Sequence, residues 1–298
     1  MSETETIDAD PLAAFERERG RLFGIAYRML GSVSEAEDVL QDAWIRWQTV
    51  HQAADHAAVE SPAGFLVRMV TRLCIDTLGA ARNRLTDYVG PWLPELIVQP
   101  LDDASPAALS ERADDLSVAF LLLLERLGPV ERAVFLLRES FDFSYREIAE
   151  IVGKSEAACR QIERRARRRL ESEGRPSPPD PEEHDRLLMS FLRASREGDL
   201  DGMVSLLARD AVLYSDGGGK AHAAGIPVAG AEKIAKFLTG LGRKAQGVWE
   251  VRPALVNGRL GAVTYFEGRL VNVVSLRVED GKIRNLFIQV NPDKLPRL

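Results

Sequence analysis

The residues whose types suggest a definite chemistry are Arg160, Gln161 and Arg164, which lie on one basic segment. Arginine hydrogen-bonds the edge of guanine and glutamine the edge of adenine, and an α-helix fits the DNA major groove. Phosphate contacts position a protein without reading sequence, and the cations suited to them here are Lys154, Arg165, Arg167 and Arg168. This pattern predicts a helix that reads double-stranded DNA.

A tight turn is predicted to place that helix against a preceding one. Ile148 and Val152 repeat at helical spacing, and Gly153 suits the positive φ that ends a helix. Ser155 can cap the next helix by accepting hydrogen bonds from its free N–H groups. Residues 143–170 are therefore typical of a helix-turn-helix. The alternative is a solvated basic helix in another kind of bundle.

The charge and composition of the whole chain restrict what it can be. The 298 residues carry a formal net charge of −6, which argues against general binding of polyanions. The basic charge is instead concentrated in residues 160–175. A local basic patch on an acidic protein suggests DNA binding that depends on another partner. Cys74 and Cys159 lack metal-ligand spacing, and neither a metal nor a cofactor is expected. Without an apolar signal segment or membrane span, the chain is predicted to be cytoplasmic.

The first part of the chain is predicted to be a helical bundle. Two helices are expected over residues 15–48, separated by Gly31, with Ser34 and Glu37 forming a capping box for the second. A third helix is expected to start at Pro62. Its basic end is formed by Arg82 and Arg84.

Two linkers and a different kind of domain follow. Residues 85–106 are rich in proline, aspartate and glycine and predict an extended linker, although its aromatic and apolar residues are unusual for a passive tether. A second linker, over residues 174–181, contains Pro176, Pro178, Pro179 and Pro181.

Helices followed by antiparallel strands are predicted beyond residue 184. Asn257-Gly258 and Asp280-Gly281 are strong hairpin signals, each between two of the predicted strands. Such an order of elements favours an α+β cone. The helices are expected near 186–197, 200–207 and 232–241, and the strands near 212–214, 248–256, 261–267, 269–279 and 282–290.

Three stretches of the sequence together resemble the extracytoplasmic-function sigma factors of bacterial RNA polymerase. Residues 26–47 resemble the helices of that family's region 2 that bind the polymerase clamp, and residues 61–84 resemble its helix that reads the −10 promoter element. Residues 127–170 resemble its region 4, which reads the −35 element. Their order and spacing make the resemblance specific.

The last domain is similar to SnoaL-like, nuclear-transport-factor-like cone domains, which one branch of these sigma factors carries instead of a separate anti-sigma factor. The branch has a WLPEP linker motif, of which Leu96 here replaces the last proline. Its DGGGK and NPDKL motifs are matched in full. The corresponding residues are Trp92, Leu93, Pro94 and Glu95; Asp216, Gly217, Gly218, Gly219 and Lys220; and Asn291, Pro292, Asp293, Lys294 and Leu295.

The predicted fold is therefore multidomain, with two all-α sigma domains and a C-terminal α+β cone. The domains expected are sigma region 2 at 10–84, a linker at 85–110, sigma region 4 at 111–172, a proline-rich linker at 173–182 and the SnoaL-like domain at 183–298.

The resemblance also implies roles for particular residues. Those expected to bind polymerase are Asp38, Gln41 and Asp42, for which a solvated helix surface is the alternative. Those expected to hold the unwound −10 strand are Arg68, Thr71, Arg72 and Asp76, although Asp76 could instead pair with Arg72 one turn away. Those expected at the −35 element are Lys154, Ser155, Arg160, Gln161, Arg164, Arg165 and Arg168.

The cone domain is predicted to act as a regulatory surface. Lys220 or Lys294 is expected to pair with Glu95, with Trp92 filling an apolar niche, and the three glycines are expected to let a partner approach closely. The alternatives are a plain hairpin loop, a small-ligand sensor and an enzyme. The polar groups available for acid–base work are Asp210, Tyr214, Asp216, His222 and Tyr265, which do not establish a catalytic pair.

The leading hypothesis is a promoter-specificity subunit, not an enzyme, controlled in cis by its cone domain. Its expected partners are core RNA polymerase, through clamp and flap, and promoter DNA, with no membrane and no separate anti-sigma factor. A second hypothesis is a one-component helix-turn-helix regulator with a ligand-binding cone, which usually needs a dimer. A third is a cone-fold enzyme fused to a DNA-binding module.

Overall fold

The computed structural model describes residues 10–52, 61–81, 88–101, 116–172, 174, 180–244 and 247–296. The chain forms two compact units, each built from two separate stretches. The first unit contains Met1–Asn83 and Leu124–Glu173, and the second contains Arg84–Leu123 and Gly174–Leu298. Arg82, Arg84, Pro176, Pro178 and Pro179, which the sequence placed at a helix end and in a linker, lie outside the described residues.

The first unit begins with the three expected helices, α1 (Pro11–Leu30), α2 (Val33–Gln52) and α3 (Pro62–Ala81). Gly31 ends α1 with a φ of 67°, as expected. The capping prediction for α2 is wrong, because the Glu35 N–H donates to Ser32 Oγ at 3.1 Å and the helix already begins at Val33. A single residue separates Gly31 from α2, so Ser32 and not Ser34 occupies the capping position.

The helices that follow Leu123 form the rest of the first unit, while most of the helix that leads into them belongs to the second unit. Helix α4 (Val118–Leu124) leads into α5 (Pro129–Glu139), α6 (Tyr145–Val152) and α7 (Glu156–Ser172). The helix-turn-helix prediction is confirmed, since Gly153 has a φ of 68° and the Ala158 N–H donates to Ser155 Oγ at 3.2 Å.

Buried arginines join the N-terminal helices of the first unit to the region 4 helices. The Arg132 guanidinium donates to the Met29 carbonyl and, at 2.8 Å, to Glu125. Arg28, also buried, places its guanidinium 5.3 Å from the Phe141 ring centre. The Glu125 carboxylate compensates the Arg132 charge, and Arg28 also donates to the Gly24 carbonyl at 3.1 Å, so each buried guanidinium has a local partner.

The second unit is the expected α+β domain. Its helices are α8 (Pro181–Glu197), α9 (Leu200–Leu206) and α10 (Ala231–Lys244), and its strands are β2 (Leu207–Asp216), β3 (Val228–Ala229), β4 (Trp249–Val256), β5 (Arg259–Phe266), β6 (Arg269–Glu279) and β7 (Lys282–Gln289). A further strand, β1 (Val98–Pro100), lies at the edge of the sheet. The sheet order is β1-β4-β5-β6-β7-β2-β3, with only β2 and β7 parallel among the described strand pairs.

Both predicted hairpin turns are confirmed. Asn257 and Gly258 have φ values of 51° and 79°, and Asp280 and Gly281 have 51° and 69°. Two consecutive positive φ values define the type I′ turn that Asn-Gly and Asp-Gly favour. Glu267 and Gly268 form a further turn of this kind between β5 and β6.

The linker contributes the edge strand of this sheet, which the sequence analysis missed. Strand β1 (Val98–Pro100) pairs antiparallel with β4, from Val98 opposite Val256 to Pro100 opposite Ala254. Proline has no N–H for a ladder, so it is tolerated at a sheet edge. The linker is thus an integral part of the second unit.

The sheet has two apolar faces with different coverings. One packs against the domain's own helices around Leu188, Met203, Ile234 and Leu286. The other is covered by the linker and the start of α4, through Leu93, Leu96, Val118 and Ala119. The sheet residues beneath this covering are Ala254, Val256, Val263, Val273 and Phe287.

Candidate DNA, polymerase and linker-docking sites

The recognition helix α7 presents the predicted −35 residues to solvent. Gln161, Arg164 and Arg168 are exposed and have no hydrogen-bond or ion-pair partner among the described residues. Lys154 and Ser155 are exposed at the turn before the helix. Cys159, Ile162, Ala166 and Leu170 form the buried face of α7 and fix which side chains point outward.

Three other arginines of α7 make contacts inside the first unit. Arg160 pairs with Glu156 at 2.8 Å, and Arg165 pairs with Glu131 at 3.2 Å. Both arginines are exposed, so both pairs are weak. Arg167 differs, because it bridges the buried Glu163 at 2.7 Å and Glu139 at 2.6 Å. The Glu163 hydrogen bond raises the pKa of Arg167, and this arrangement favours a packing role for Arg167 over a phosphate contact.

The two arginines of the predicted −10 face form an ion pair and hydrogen bonds with the helix-turn-helix. Arg68 Nη2 lies 3.3 Å from a Glu150 carboxylate oxygen. Arg72 donates to the Ile151 carbonyl at 3.0 Å and to the Glu150 carbonyl at 3.4 Å. These acceptors lie at the C-terminal end of α6, where helix carbonyls lack partners and attract cations.

The other two residues of the −10 face have different surroundings. Thr71 is fully buried, and its hydroxyl has no hydrogen-bond partner among the described residues. Asp76 is exposed. In this state of the chain, therefore, Arg68 and Arg72 are engaged by α6 and Thr71 is enclosed.

The predicted polymerase-binding residues form an open face of α2. Asp38, Gln41 and Asp42 are exposed and have no partner among the described residues. Ile45 continues the same face one turn further and is 53% exposed, which the sequence analysis missed. An acidic patch beside an exposed apolar side chain has the mixed character of a protein interface.

Asp216 is the centre of the contact between the linker and the C-terminal domain. Its carboxylate is completely buried and accepts hydrogen bonds from Tyr88 Oη at 2.6 Å and the Leu93 N–H at 2.9 Å. The Gly218 N–H donates to it at 3.0 Å, and Lys294 Nζ at 2.8 Å. A buried charge with this many donors is well compensated.

Lys294 connects the C-terminal segment to the linker. Besides Asp216, it donates to the Leu93 carbonyl at 2.8 Å. Its ammonium lies 4.6 Å from the ring centres of both Tyr88 and Trp92, which is the geometry of a cation–π contact. The motifs around Trp92, Asp216 and Lys294 are thus brought together at one place.

The glycines of the DGGGK loop allow this close approach. Gly218 has a φ of 56°, and a Cβ atom there would lie 2.2 Å from Asn291 Nδ2 and 3.1 Å from Tyr88 Oη. Gly219 has a φ of 72°, and its Cβ would lie 3.3 Å from the side chain of Val89. Lys220 pairs with Asp293.

The anchoring residue of the linker differs from the one expected. Leu93 is fully buried in the sheet-face core, whereas Trp92 is only partly buried and shields the Lys294 ammonium. Leu96, which replaces a motif proline, is also buried there. The Gln289 side chain donates to the Pro94 carbonyl at 3.4 Å. The expected pairing of a lysine with Glu95 stays a prediction.

Tyr88 was missed by the sequence analysis, because a single tyrosine in a linker carries no local signal. Burial and the hydrogen bond to Asp216 raise the pKa of its phenol well above the ordinary value. The phenol therefore remains a neutral donor to the carboxylate across the physiological pH range. Asn291 Nδ2 donates to the same phenol oxygen at 3.0 Å.

The polar groups considered for acid–base catalysis have other contacts. Asp210 pairs with Arg284 at 2.7 Å, and Tyr214 stacks on Phe287. Tyr265 lies beneath the Arg252 guanidinium, and His222 is exposed. Within the described ranges, no cluster of three potential metal ligands occurs. Nor is any helix in those ranges long and apolar enough to cross a bilayer.

Comparison with known families identifies the two helical modules. The Sigma-70 region 2 family matches residues 14–84, and the Sigma-70, region 4 family matches residues 117–170. These modules define a class of proteins that direct transcription initiation by RNA polymerase.

Relatives that match nearly the whole chain show which group of sigma factors it resembles. The ECF RNA polymerase sigma factor SigJ of Mycobacterium tuberculosis is 36% identical over 95% of this chain and 92% of its own length. The probable ECF RNA polymerase sigma factor SigI of the same species is 30% identical over 97% of this chain and 96% of its own. The crystal structure of SigJ aligns with a TM-score of 0.75 at 35% identity, covering 95% of this chain and 97% of that one.

The chain belongs to the ECF sigma factors and is an alternative sigma factor of RNA polymerase. The expected architecture, two helical sigma domains followed by a SnoaL-like α+β domain, is confirmed.

Proposed function

We propose that this sigma factor is restrained in cis by its C-terminal domain, which docks on the linker between the two promoter-reading modules. The observation that carries the proposal is the burial of Asp216 beneath the linker, with Tyr88, Leu93 and Lys294 as its donors. A tether of residues 173–182 keeps the docking partners at high effective concentration, so a weak contact is sufficient.

The packing of the first unit indicates that its two promoter-reading modules must separate before they bind a promoter. The −10 and −35 elements lie roughly 25 base pairs apart, which is about 85 Å along B-DNA. The two modules that read them are packed together here, with Arg72 hydrogen-bonded to the end of α6. Promoter binding therefore requires the modules to separate, and the linker must allow it.

The promoter contacts that we propose follow from the exposed and charged groups. Arg160, Gln161 and Arg164 read bases of the −35 element, while Lys154, Ser155, Arg165 and Arg168 contact its backbone. Arg68, Thr71, Arg72 and Asp76 hold the unwound −10 strand once α6 has left them. Arg160 and Arg165 exchange weak protein pairs for phosphates or bases.

The polymerase contact that we propose uses the open face of α2. Asp38 and Asp42 meet basic residues of the polymerase clamp, with Gln41 beside Asp42 and Ile45 one turn further along the same face. Region 4 contacts the flap. We further propose that the protein acts in the cytoplasm without a separate anti-sigma factor, because a docked domain of its own supplies the restraint.

The docked linker also supports a regulatory and not a catalytic C-terminal domain. Asp216, one of the carboxylates considered for acid–base work, is fully buried and accepts hydrogen bonds from the linker and the C-terminal segment. A general base needs access to a substrate proton. A small ligand that releases the linker would act as an inducing signal.

Run-off transcription with core RNA polymerase, on the promoter upstream of the neighbouring genes, tests the proposal. We would compare the full chain with chains that stop after Leu170 and after Val290. The first truncation removes the docking domain, whereas the second removes Lys294 and leaves the sheet. The two are expected to differ in transcription from each other and from the full chain.

Two results would contradict this account. Equal transcription with both truncations would remove cis control by docking. No transcription with any chain, together with tight binding of the free protein to duplex DNA, would favour the one-component regulator.

A further inference from the structure

We propose that Asn257 is a positioning residue that fastens both ends of the interdomain segment to the C-terminal sheet and so sets the reach of the linker. This inference rests on the proposed cis control and concerns a residue that the sequence marked only as a turn former. Asn257 sits at the β4–β5 hairpin and is 2% exposed.

The side-chain amide of Asn257 binds two distant parts of the chain. Its Oδ1 accepts from the Ile97 N–H at 2.8 Å, and its Nδ2 donates to the Leu116 carbonyl at 2.7 Å. The Asn257 backbone N–H also donates to the Ile97 carbonyl at 2.8 Å. Ile97 precedes β1, and Leu116 precedes α4, so one residue holds both the exit from region 2 and the entry into region 4.

An uncharged amide is suited to this pair of contacts. One contact needs an acceptor for an N–H group and the other a donor for a carbonyl, and the asparagine side chain offers both. A backbone with a φ of 51° is needed as well, which asparagine tolerates better than most residues. These requirements explain why asparagine does more here than favour a turn.

The two contacts shorten the tether between the modules. They bring the Ile97 nitrogen and the Leu116 oxygen to within about 8 Å of each other, since one amide group joins them. The segment between them then adds nothing to the span of the linker. The region 2 match ends at residue 84, and the region 4 match begins at residue 117. A fully extended chain between them spans about 110 Å, but only about 55 Å when Asn257 joins Ile97 to Leu116.

Fastening also involves the first residues of region 4. Val118 and Ala119 are buried on the sheet face directly after Leu116. While Asn257 holds Leu116, the start of α4 is kept on the C-terminal domain. Release of this contact frees the start of region 4 together with the linker.

Two substitutions separate the two contacts. Asn257→Gly keeps a turn residue that accepts positive φ but removes both side-chain contacts, whereas Asn257→Asp keeps an acceptor for Ile97 and loses the donor to Leu116. Asp280→Gly is the matched control, because Asp280 has the same φ of 51° in the β6–β7 hairpin.

Hydrogen exchange of the full-length chain is the direct test. In Asn257→Gly, exchange is expected to rise at least tenfold both at Ile97 with β1 and at Phe120 and Leu121 of α4. In Asn257→Asp only the α4 amides should exchange faster, and in Asp280→Gly neither group should change. Wild-type protection of both groups in Asn257→Gly would overturn the proposal.

Transcription from promoters with altered spacers tests the consequence for reach. The Asn257→Gly chain is expected to give at least a threefold higher ratio of transcription from a lengthened spacer to transcription from the native one. An unchanged ratio would overturn the effect on reach. Absence of transcription with every chain would instead overturn the proposed function, while the exchange result still decides the role of Asn257.

Discussion

At the scale of single residues, the docked state depends on how Asp216 is neutralised. Its carboxylate has no exposed surface, and Lys294, with a side chain only 12% exposed, is its ion-pair partner. A buried pair contributes little compared with apolar packing, but the loss of one partner leaves an uncompensated buried charge. The remaining donors, which include Tyr88 and the N–H groups of Leu93 and Gly218, are neutral.

Lys294→Met is therefore expected to release the linker. The uncompensated carboxylate should weaken docking by about 3 kcal/mol, and the rate of protease cleavage within residues 88–101 should rise about 100-fold. Lys220→Met is the matched control, because the Lys220–Asp293 pair is exposed and contributes less than about 1 kcal/mol. Equal cleavage rates in the two variants would contradict this role of Lys294.

Gly218 is a residue where a single methyl group is expected to disturb docking. In Gly218→Ala the added Cβ would overlap Asn291 and press on Tyr88, at a φ of 56° that alanine disfavours. The melting temperature of the second unit should fall by about 5–10 °C in calorimetry. Gly240→Ala, with no atom within 4 Å of the added Cβ, should melt no lower than the wild type.

At the scale of elements, the contact between α3 and α6 is expected to compete with DNA. Glu150→Ala removes the carboxylate that pairs with Arg68, and the affinity for single-stranded −10 DNA should rise about two- to fivefold, as expected for an exposed pair. Glu156→Ala removes an equal charge from α7 and serves as the control in the same fluorescence-anisotropy titration. No difference between the variants would argue against competition.

The elements show how far the sequence is informative. Turns encoded by adjacent residues, such as Asn257-Gly258 and Gly153 with Ser155, were predicted correctly because their conformation is set locally. Strand β1 was missed, since Pro100 argues against a strand and its pairing partner lies more than 150 residues away.

Parts of the candidate site were hidden for a similar reason. The loop from Asp216 to Lys220 and the segment from Asn291 were identified through the family resemblance, and the structure brings them together around the linker. Tyr88, Gln289 and Asn257 were not identified, because their contacts join residues far apart in the chain. The hydrogen bonds from Arg72 to the carbonyls of α6 could not be predicted from any local pattern either.

At the scale of the whole molecule, the linker covers an apolar face of the C-terminal sheet that a second protein could otherwise bind. A chain of residues 180–298 alone would expose Val256, Val263, Val273 and Phe287. Such an apolar patch favours association, so the isolated domain is expected to self-associate in sedimentation velocity. An added peptide of residues 88–101 should reduce the association. A monomeric domain without the peptide would contradict this expectation.

The apolar covering of the sheet also gives the proposed restraint a dependence on temperature. Leu93, Leu96 and Val118 dock by the hydrophobic effect, which weakens on cooling. The Lys294–Asp216 pair changes in the same direction, because the cost of dehydrating charges is greater in the cold. Because both contributions are weaker at low temperature, docking of the linker depends on temperature, and cooling shifts the chain toward its released form.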